Sequence, residues 1–391
     1  MDLNKTNSGN RVHIGFFGRV NAGKSSLINA FANREISIVS DQPGTTTDPV
    51  YKSIELKNLG PSLLMDTAGL VDQTNLGVVR TKRTKEVLEK TDLAIIVVAG
   101  ADLDVEKDLI KSLKDTPRII AINKIDILST DEIQKIKSEL PGETIVEVSA
   151  KEKTSIDKLL DEILKFAPKS DDQLFENMVE EKDLVFLVVP QDIAAPKNRL
   201  ILPQVQALRE LLDRNCISLM IKLEEFETAL RLVNKKPDLI VADSSVFLQV
   251  YEKKPANVRL TSFSVLFAKL KGDIDEYVKG ARAFKNINSN SRILIAESCA
   301  HAPTEEDIGR VKIPNMIRKK FGDEIIIDNT SGPVLPENLE TYDLIIQCGG
   351  CMQNKKSIQG RIKKAQEKNI PITNYGIAIA YFMGILDKIT Y

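Results

Sequence analysis

Two glycines, a lysine and a serine near the start of the chain have the spacing of a phosphate-binding loop. The stretch Gly18–Ser26 reads G-x-x-x-x-G-K-S-S, follows the apolar run Val12–Phe17 and precedes Leu27–Phe31, whose apolar residues have helical spacing. A match of this kind is informative when a strand precedes it and a helix follows it. The sequence therefore predicts a loop that binds the phosphates of a nucleotide.

The chemistry of phosphate binding explains the positions in this loop. Gly18 and Gly23 allow the backbone to curl so that successive N–H groups point at phosphate oxygens, with the positive end of the following helix behind them. Lys24 can reach the β- and γ-phosphates, and the Ser25 hydroxyl can bind Mg²⁺.

Three further short motifs follow predicted strands and complete a guanine-nucleotide site. Asp66 can hold a Mg²⁺-bound water, and the Gly69 N–H can contact the γ-phosphate. Asp126, at the end of Asn123–Asp126, can accept hydrogen bonds from N1–H and the 2-amino group of guanine, two donors that adenine lacks. Ser149–Lys151 can bring a backbone N–H to the guanine carbonyl. Ligands of open α/β sheets bind at the carboxyl ends of strands, which is where these motifs lie. Because Asp126 pairs with donors that only guanine has, the motifs predict a site for GTP rather than ATP.

The cysteines form a second set of residues that could do chemistry. The chain has only four, which fits a reducing compartment, and Cys348 and Cys351 are separated by two glycines. Together with Cys299, each is predicted at the end of a strand of one sheet, so the three can meet. Three thiolates with one open or weaker ligand can hold a [4Fe–4S] cluster, and the same thiolates with His301 equally satisfy a Cys₃His zinc site. Ligand types alone leave both metals open, whereas Cys216 is predicted to be a small core residue.

Length and composition restrict the class of protein. A chain of 391 residues suffices for two or three domains, and its net charge of -1 gives no basic field for binding RNA. Residues 1–10 are polar and lack the core of a signal peptide, and the apolar stretch Ile370–Leu386 is interrupted and short of the ~20 residues that a membrane span needs. We therefore expect a cytoplasmic protein with no nucleic-acid or membrane partner, and a buried helix near the C-terminus.

The elements that position these residues follow an alternating α/β pattern. After a disordered tail at 1–10, the pattern predicts a doubly wound P-loop domain at 11–168, a smaller middle α/β domain at 174–258 and a third α/β domain at 260–391. In the first domain the predicted strands are His13–Phe17, Ser53–Leu56, Ser62–Met65, Leu93–Ala99, Arg118–Asn123 and Thr144–Val148, and the predicted helices are Ser25–Ala32, Val79–Lys90, Lys107–Leu113, Thr130–Glu139 and Ile156–Phe166. Beyond it the predicted strands are Leu184–Val189, Ser218–Lys222, Leu239–Ala242, Arg292–Ala296, Glu324–Asp328, Tyr342–Gln347 and Pro371–Thr373, and the predicted helices are Gln204–Arg214, Glu224–Leu232, Ser244–Tyr251, Met316–Phe321 and Ile358–Lys368.

The first domain resembles the translation-factor-class GTPases of the TrmE/Era type, in the order of the motifs above and in the segment Pro43–Asp48. The resemblance implies that Asn21 helps to bind K⁺ beside the phosphates, unless it only caps the turn, and that Thr46 joins the Mg²⁺ shell when GTP is bound. Leu70 follows Gly69 where Ras-like enzymes have a glutamine, so we expect slow hydrolysis that K⁺ stimulates, with the water-positioning group unknown. The predicted catalytic residues are Lys24, Thr46, Asp66 and Gly69, the Mg²⁺ ligands are Ser25 and Thr46, and the nucleotide-binding residues are Gly18, Asn21, Ala22, Gly23, Lys24, Ser25, Ser26, Thr46, Asp66, Gly69, Asn123, Lys124, Asp126, Ser149, Ala150 and Lys151.

Over essentially its whole length the chain resembles the [FeFe]-hydrogenase maturation GTPase (HydF) family, because a GTPase domain and a spacer precede a Cys-x-His and a Cys-Gly-Gly-Cys. The resemblance implies a homodimeric scaffold that carries a [4Fe–4S] cluster on Cys299, Cys348 and Cys351. It also implies a transient di-iron precursor, made with radical-SAM maturases and delivered to apo-[FeFe]-hydrogenase. Gln347 stands where the family commonly has a histidine, so the fourth ligand stays open, with His301, Glu305, Glu306 and an exchangeable ligand as candidates.

Two other functions remain as alternatives. One is a GTPase for ribosome or tRNA maturation with a C-terminal Cys₃His zinc module. The other is a GTP-gated interaction protein in which the cysteines only stabilise the fold.

Overall fold

The computed structural model describes residues 8–32, 38–42, 50–67, 82–168, 173–190, 200–298, 307–332 and 334–391. The chain divides into two compact units, Met1–Ser170 and Asp171–Tyr391. Within the described residues no helix is both long and apolar enough to cross a membrane.

The first unit alternates strands and helices around one sheet. Its elements are β1 (Val12–Phe17), α1 (Lys24–Ala32), β2 (Ile38–Gln42), β3 (Val50–Leu56), β4 (Gly60–Asp66), α2 (Lys82–Lys90), β5 (Leu93–Val98), α3 (Asp104–Ser112), β6 (Arg118–Ile122), α4 (Thr130–Glu139), β7 (Ile145–Glu147) and α5 (Ile156–Phe166).

The sheet of the first unit has the order β2-β3-β4-β1-β5-β6-β7. Strand β3 runs antiparallel to both neighbours, and the other pairings are parallel. Every residue of β5 is buried, as expected of a central parallel strand covered by helices on both faces. The carboxyl ends of β1, β4 and β6 therefore lie along one edge, where the nucleotide motifs begin.

The second unit contains two smaller sheets. Its elements are β8 (Leu184–Val188), α6 (Leu202–Asp213), β9 (Ile217–Ile221), α7 (Phe226–Leu232), β10 (Leu239–Ala242), α8 (Phe247–Lys253), β11 (Arg259–Ser262), α9 (Phe263–Lys271), α10 (Ile274–Arg282), β12 (Arg292–Glu297), α11 (Ile313–Phe321), β13 (Ile326–Ser331), β14 (Leu344–Gln347), α12 (Lys355–Glu367), β15 (Ile372–Asn374) and α13 (Tyr375–Phe382).

Both sheets of the second unit are parallel, with the orders β11-β10-β8-β9 and β13-β12-β14-β15. One apolar core runs from Phe186 in the first of them to Ile295 and Ile346 in the second. The predicted buried C-terminal helix is present as α13, whose residues from Gly376 to Ala380 are buried.

The α/β fold class predicted from the pattern is confirmed, and α4, α5 and β10 begin and end at the predicted residues. Other bounds differ. The helix predicted at Ser244–Tyr251 forms at Phe247–Lys253, and the strand predicted at Glu324–Asp328 forms at Ile326–Ser331. Strands β2 and β11 and helices α9 and α10 were not predicted. Because β11 pairs with β10, the first sheet of this unit extends into the stretch assigned to the third domain.

Candidate functional site

The phosphate-binding loop connects β1 to α1 and depends on both of its glycines. Gly18 has a φ of 136° and Gly23 a φ of 97°, a region that residues with side chains rarely adopt. A Cβ on Gly18 would lie 2.3 Å from the Val97 carbonyl oxygen, and one on Gly23 would lie 2.1 Å from Nδ2 of Asn123. Both positions therefore require glycine for space as well as for conformation.

The polar side chains of the loop are held by the loop itself and by the end of β4. The Lys24 ammonium is buried and donates to the carbonyl oxygens of Gly18 and Arg19, both at 2.8 Å. The Ser25 hydroxyl donates to the Asp66 carboxylate. Ser25 and Asp66, predicted to serve Mg²⁺ directly and through water, are therefore adjacent. Thr46 and Gly69, predicted to complete this end of the site, lie outside the described residues.

Asn123 connects the guanine side of the predicted site to the phosphate loop. Its side-chain amide donates to the Ala22 carbonyl at 2.8 Å and accepts from the Ala150 N–H at 3.0 Å. The Ser149 hydroxyl donates to Asp126 at 2.7 Å. This hydrogen bond lowers the pKa of Asp126, so the exposed carboxylate stays ionised, the form that accepts two hydrogen bonds from guanine.

Arg19 is a residue of this loop that the sequence analysis did not single out. Its guanidinium contacts Asp102 at 2.7 Å and the buried Glu106 at 3.3 Å, which joins the phosphate loop to the segment around the start of α3. Burial raises the pKa of Glu106, and the charge of Arg19 opposes that shift. No local sequence signal marks this contact, because Asp102 and Glu106 are each more than eighty positions from Arg19 in the sequence.

The second set of predicted residues lies at the carboxyl ends of β12 and β14. The Cys348 N–H donates to the Ala296 carbonyl at 3.0 Å, so the pairing of the two strands continues as far as this cysteine. The Ser298 N–H donates to Sγ of Cys348 at 3.1 Å. Cys348 and Cys351 are both free thiols. Ser298 directly precedes Cys299, which is itself outside the described residues together with His301, Glu305 and Glu306.

Both described thiols line a cavity of about 370 Å³ inside the second unit. Its other walls include Phe263, Phe267 and Gly309, and the polar residues Glu297 and Tyr375 also face it. A cavity of this volume is within the range of small-molecule sites.

Two residues that line this cavity carry a buried polar atom without a hydrogen-bond partner in the described part of the chain. These atoms are one carboxylate oxygen of Glu297 and the Tyr375 hydroxyl. The other oxygen of Glu297 accepts from Arg310 at 3.0 Å. Because buried polar groups are nearly always paired, unpaired ones around a cavity indicate a site that takes a ligand or ordered water.

The loop between the two cysteines is fixed by a buried lysine. The Lys271 ammonium, at the end of α9, donates to the carbonyl oxygens of Gly350 at 3.4 Å, Cys351 at 3.2 Å and Gln353 at 2.8 Å. Burial lowers the pKa of Lys271 to about 8, and the charge of Cys351 opposes that shift. Burial raises the pKa of the Cys351 thiol, the neighbouring Cys348 adds to the rise, and Lys271 opposes it.

Gln347 directly precedes Cys348, is fully buried and donates to the Tyr277 hydroxyl. Cys216 is buried in an apolar cluster, as predicted, and does not line the cavity; its Sγ contacts the Glu180 carbonyl oxygen at 3.2 Å. Within the described ranges, no three His, Cys, Asp or Glu side chains are grouped to hold a metal ion.

Comparison with known proteins divides the chain into three matched segments. Residues 13–124 match the model of a family described as 50S ribosome-binding GTPase. Residues 174–272 match the Hydrogen maturase F dimerization domain, and residues 275–390 match the Hydrogen maturase F tetramerization domain. The two maturase models together cover more than half of the chain.

Proteins of known function that are similar to this chain include two GTPases. GTPase Der of Sulfurimonas denitrificans is 39% identical over 170 residues, which are 40% of this chain and 34% of that protein. The tRNA modification GTPase MnmE of Aquifex aeolicus is 35% identical over 157 residues, 39% of this chain and 34% of that protein. The chain thus spans about a third of the length of these relatives. A solved structure of Aquifex aeolicus Era with GDP and AlF₄⁻ aligns with a TM-score of 0.34 at 21% identity, over 57% of this chain and 98% of that one.

Proposed function

Because the chain belongs to the hydrogen maturase F family and its first domain is a GTPase domain, we propose that it is a GTP-hydrolysing scaffold for the maturation of [FeFe]-hydrogenase. In this proposal it binds a [4Fe–4S] cluster through Cys299, Cys348 and Cys351. It assembles or carries a di-iron precursor there and delivers it to the apo-hydrogenase.

The observation that carries the proposal is the placement of Cys348 and Cys351 on one cavity, which is also lined by Glu297 and Tyr375, each with an unpaired buried oxygen. The donor set fits an iron–sulfur cluster, because two free thiols face the cavity and the Ser298 N–H bonds one of the sulfurs. Cys299 follows Ser298 directly in the sequence and is proposed as the third thiolate. A cluster held by three thiolates supplies an iron with an exchangeable position, at which a precursor can bind.

The residues of the chain have separate tasks in this function. Cys348 and Cys351 bind iron, and Gly350 allows the tight loop between them, since its φ is 58°. Glu297 and Tyr375 present an acceptor and a donor to whatever shares the cavity. In the first unit Lys24, Ser25 and Asp66 bind the phosphates and Mg²⁺, and Asp126 selects guanine.

Iron content and spectroscopy of the purified protein test the cluster. Anaerobically reconstituted protein is expected to be brown and to give an EPR signal on reduction, and Cys348→Ala is expected to lose both. Cys216→Ala is the matched control, because Cys216 does not line the cavity and its loss should leave the iron content unchanged. A colourless protein with stoichiometric zinc would contradict the proposal and favour the ribosome or tRNA alternative.

The nucleotide reaction is proposed to be slow and stimulated by K⁺ through Asn21. The side chain of Asn21 is exposed in the loop, and its φ of 59° is left-handed. Single-turnover GTP hydrolysis should be faster in K⁺ than in Na⁺, and Asn21→Ala should remove the difference. Equal rates in both salts would reject the role of K⁺ and leave the GTPase intact.

The partners are proposed to be radical-SAM maturases and apo-hydrogenase, with the chain acting as a homodimer. The matched dimerization and tetramerization domains support self-association. Activation of apo-hydrogenase by the loaded protein, and its loss in Cys348→Ala, would test delivery. Light scattering of the purified chain would test the dimer.

A further inference from the structure

Lys271 makes an unusual contact for a lysine, because its charged group is buried against the backbone of the cysteine loop. The residue is 3% exposed, and its ammonium faces the carbonyl oxygens of Gly350, Cys351 and Gln353. Lysine is almost never fully buried unless its charge is paired. The three carbonyl oxygens therefore accept hydrogen bonds from the Lys271 ammonium and stabilise its charge in the interior of the second unit.

The contact constrains the loop as well as the lysine. The three hydrogen bonds from the ammonium restrict the backbone conformation of the loop. The Gln353 N–H closes the turn by donating to the Gly350 carbonyl at 2.9 Å. Gln353 also donates from its side chain to the Ser298 carbonyl at 3.0 Å, which joins the loop to the strand end that precedes Cys299.

The ammonium also brings a positive charge next to the predicted iron ligands. The ammonium contacts the carbonyl oxygen of Cys351 and lies 5.8 Å from the centre of the Phe267 ring. Opposite charges interact more strongly in such a site than in water, because little solvent screens them. The reduction potential of an iron–sulfur cluster depends on nearby charge and on hydrogen bonds around its sulfurs.

We propose that Lys271 is a positioning residue for the iron–sulfur cluster, which holds the Cys348–Cys351 loop in its binding conformation and raises the reduction potential of the bound cluster. This inference rests on the proposed iron–sulfur function of the same loop. Lys271 belongs to the segment matched by the dimerization domain, whereas the loop belongs to the segment matched by the tetramerization domain. The binding site is therefore built from both.

The test compares three variants of the full chain, reconstituted anaerobically with iron and sulfide. Lys271→Met keeps the length of the side chain and removes its charge, and Lys271→Arg keeps the charge. Lys269→Met is the matched control, because Lys269 lies on the same helix and donates instead to the Glu176 carbonyl at 3.2 Å. Iron content, circular dichroism and the midpoint potential are measured for each.

Lys271→Met is expected to make the cluster about tenfold harder to reduce, which is a downward shift of about 59 mV for a one-electron couple. Lys269→Met and Lys271→Arg are expected to stay near the wild-type potential. A folded Lys271→Met that takes up no iron, while Lys271→Arg takes up the wild-type amount, would also support the proposal.

Three other results have distinct meanings. Equal potentials and iron contents in all variants would overturn the role of Lys271 and leave the proposed function standing. Loss of the folded second unit in both Lys271 variants would overturn it too, because the lysine would then be a structural residue. Absence of a cluster from the wild-type protein would instead reject the proposed function on which the inference rests.

Discussion

At the scale of single residues, Asn123 is the residue on which the two ends of the nucleotide site meet. Its amide lies against Gly23 and bonds Ala22 on one side and Ala150 on the other. This one side chain therefore joins the predicted phosphate loop to the predicted guanine loop. A substitution at Gly23 that displaces the Asn123 side chain should therefore affect both loops.

We expect Gly23→Ala to weaken GDP binding by about tenfold or more, because overpacking a tight site costs about 1–3 kcal/mol. The added Cβ would lie 2.1 Å from the Asn123 amide nitrogen. Titration with a fluorescent GDP analogue measures the loss. Gly142→Ala is the control, since Gly142 also has a positive φ, 83°, but no atom within 4 Å of its would-be Cβ. Equal affinity in both variants would contradict the steric argument.

Asp126 is the residue proposed to select guanine, and the hydrogen bond from the Ser149 hydroxyl lowers its pKa, which favours the ionised form. We expect Asp126→Asn to weaken GTP binding by about tenfold or more, because hydrogen bonds to charged groups are the strong ones and one acceptor becomes a donor. Since the Ser149 hydroxyl lowers the pKa of Asp126, wild-type affinity should hold as the pH falls toward the ordinary carboxyl range and decline only below it.

Calorimetric titration with GTP and ATP at several pH values measures both effects of Asp126. Asp131→Asn, the same change on the neighbouring helix, should alter neither. Loss of GTP affinity well above the ordinary carboxyl pKa would show that another group controls base binding.

The residues that the sequence predicted are those whose signal is local. Gly18–Ser26 could be recognised because the glycines, the preceding strand and the following helix are contiguous, and the structure has them in that arrangement. The contacts of Arg19 with Asp102 and of Lys271 with the Cys351 carbonyl could not, since neither end carries a pattern that points to the other.

At the scale of elements, the turn from β14 into α12 positions the two described thiols. Gly350 has a φ of 58°, and a Cβ there would lie 2.3 Å from Cδ1 of Ile358 in α12. Asn354 caps the helix by accepting from the Ser357 N–H. The turn is therefore tight because the first turn of α12 packs directly beneath it.

We expect Gly350→Ala to lower the free energy of unfolding of the second unit by about 1–3 kcal/mol, because the methyl group overpacks the turn. Combining it with Ile358→Val should recover part of the loss, since valine lacks the clashing Cδ1. Chemical denaturation of the iron-free protein measures both. Gly349→Ala, with no atom within 4 Å of the added Cβ, should cost less, and equal losses at the two glycines would contradict this account.

Elements were predicted well where their apolar period was clear and poorly where it was not. Helices α4 and α5 have polar faces and polar residues before them, and their bounds were predicted. Helix α9 is buried over most of its length, and continuous apolar runs of this size do not distinguish helix from strand. The short strands β2 and β11 lie at sheet edges, where a strand needs less apolar sequence.

At the scale of the whole molecule, each unit has apolar cores of its own. The first unit packs its cores on the two faces of one sheet, with Phe16 on one face and Phe17 on the other. In the second unit a single cluster includes residues from both parallel sheets. The two segments matched by separate maturase domains therefore share an apolar interior.

We expect excess GDP with Mg²⁺ to stabilise the first unit and not the second. A ligand that binds only the folded state at about 100 times its Kd adds about 2.7 kcal/mol. Differential scanning calorimetry should therefore show one transition that moves upward with GDP and one that stays in place. Lys24→Ala should abolish the movement. A shift of every transition by GDP would show that the two units unfold together.

The position of Lys271 bears on which fragment of the chain could be used to study the proposed metal site. A fragment cut at residue 275, where the second maturase match begins, would contain every cysteine of the proposed cluster site. It would lack the lysine and the two phenylalanines that wall the cavity. Iron uptake measured on such a fragment would report on an incomplete pocket. The limits of a domain defined by sequence similarity need not include every residue that forms the binding site.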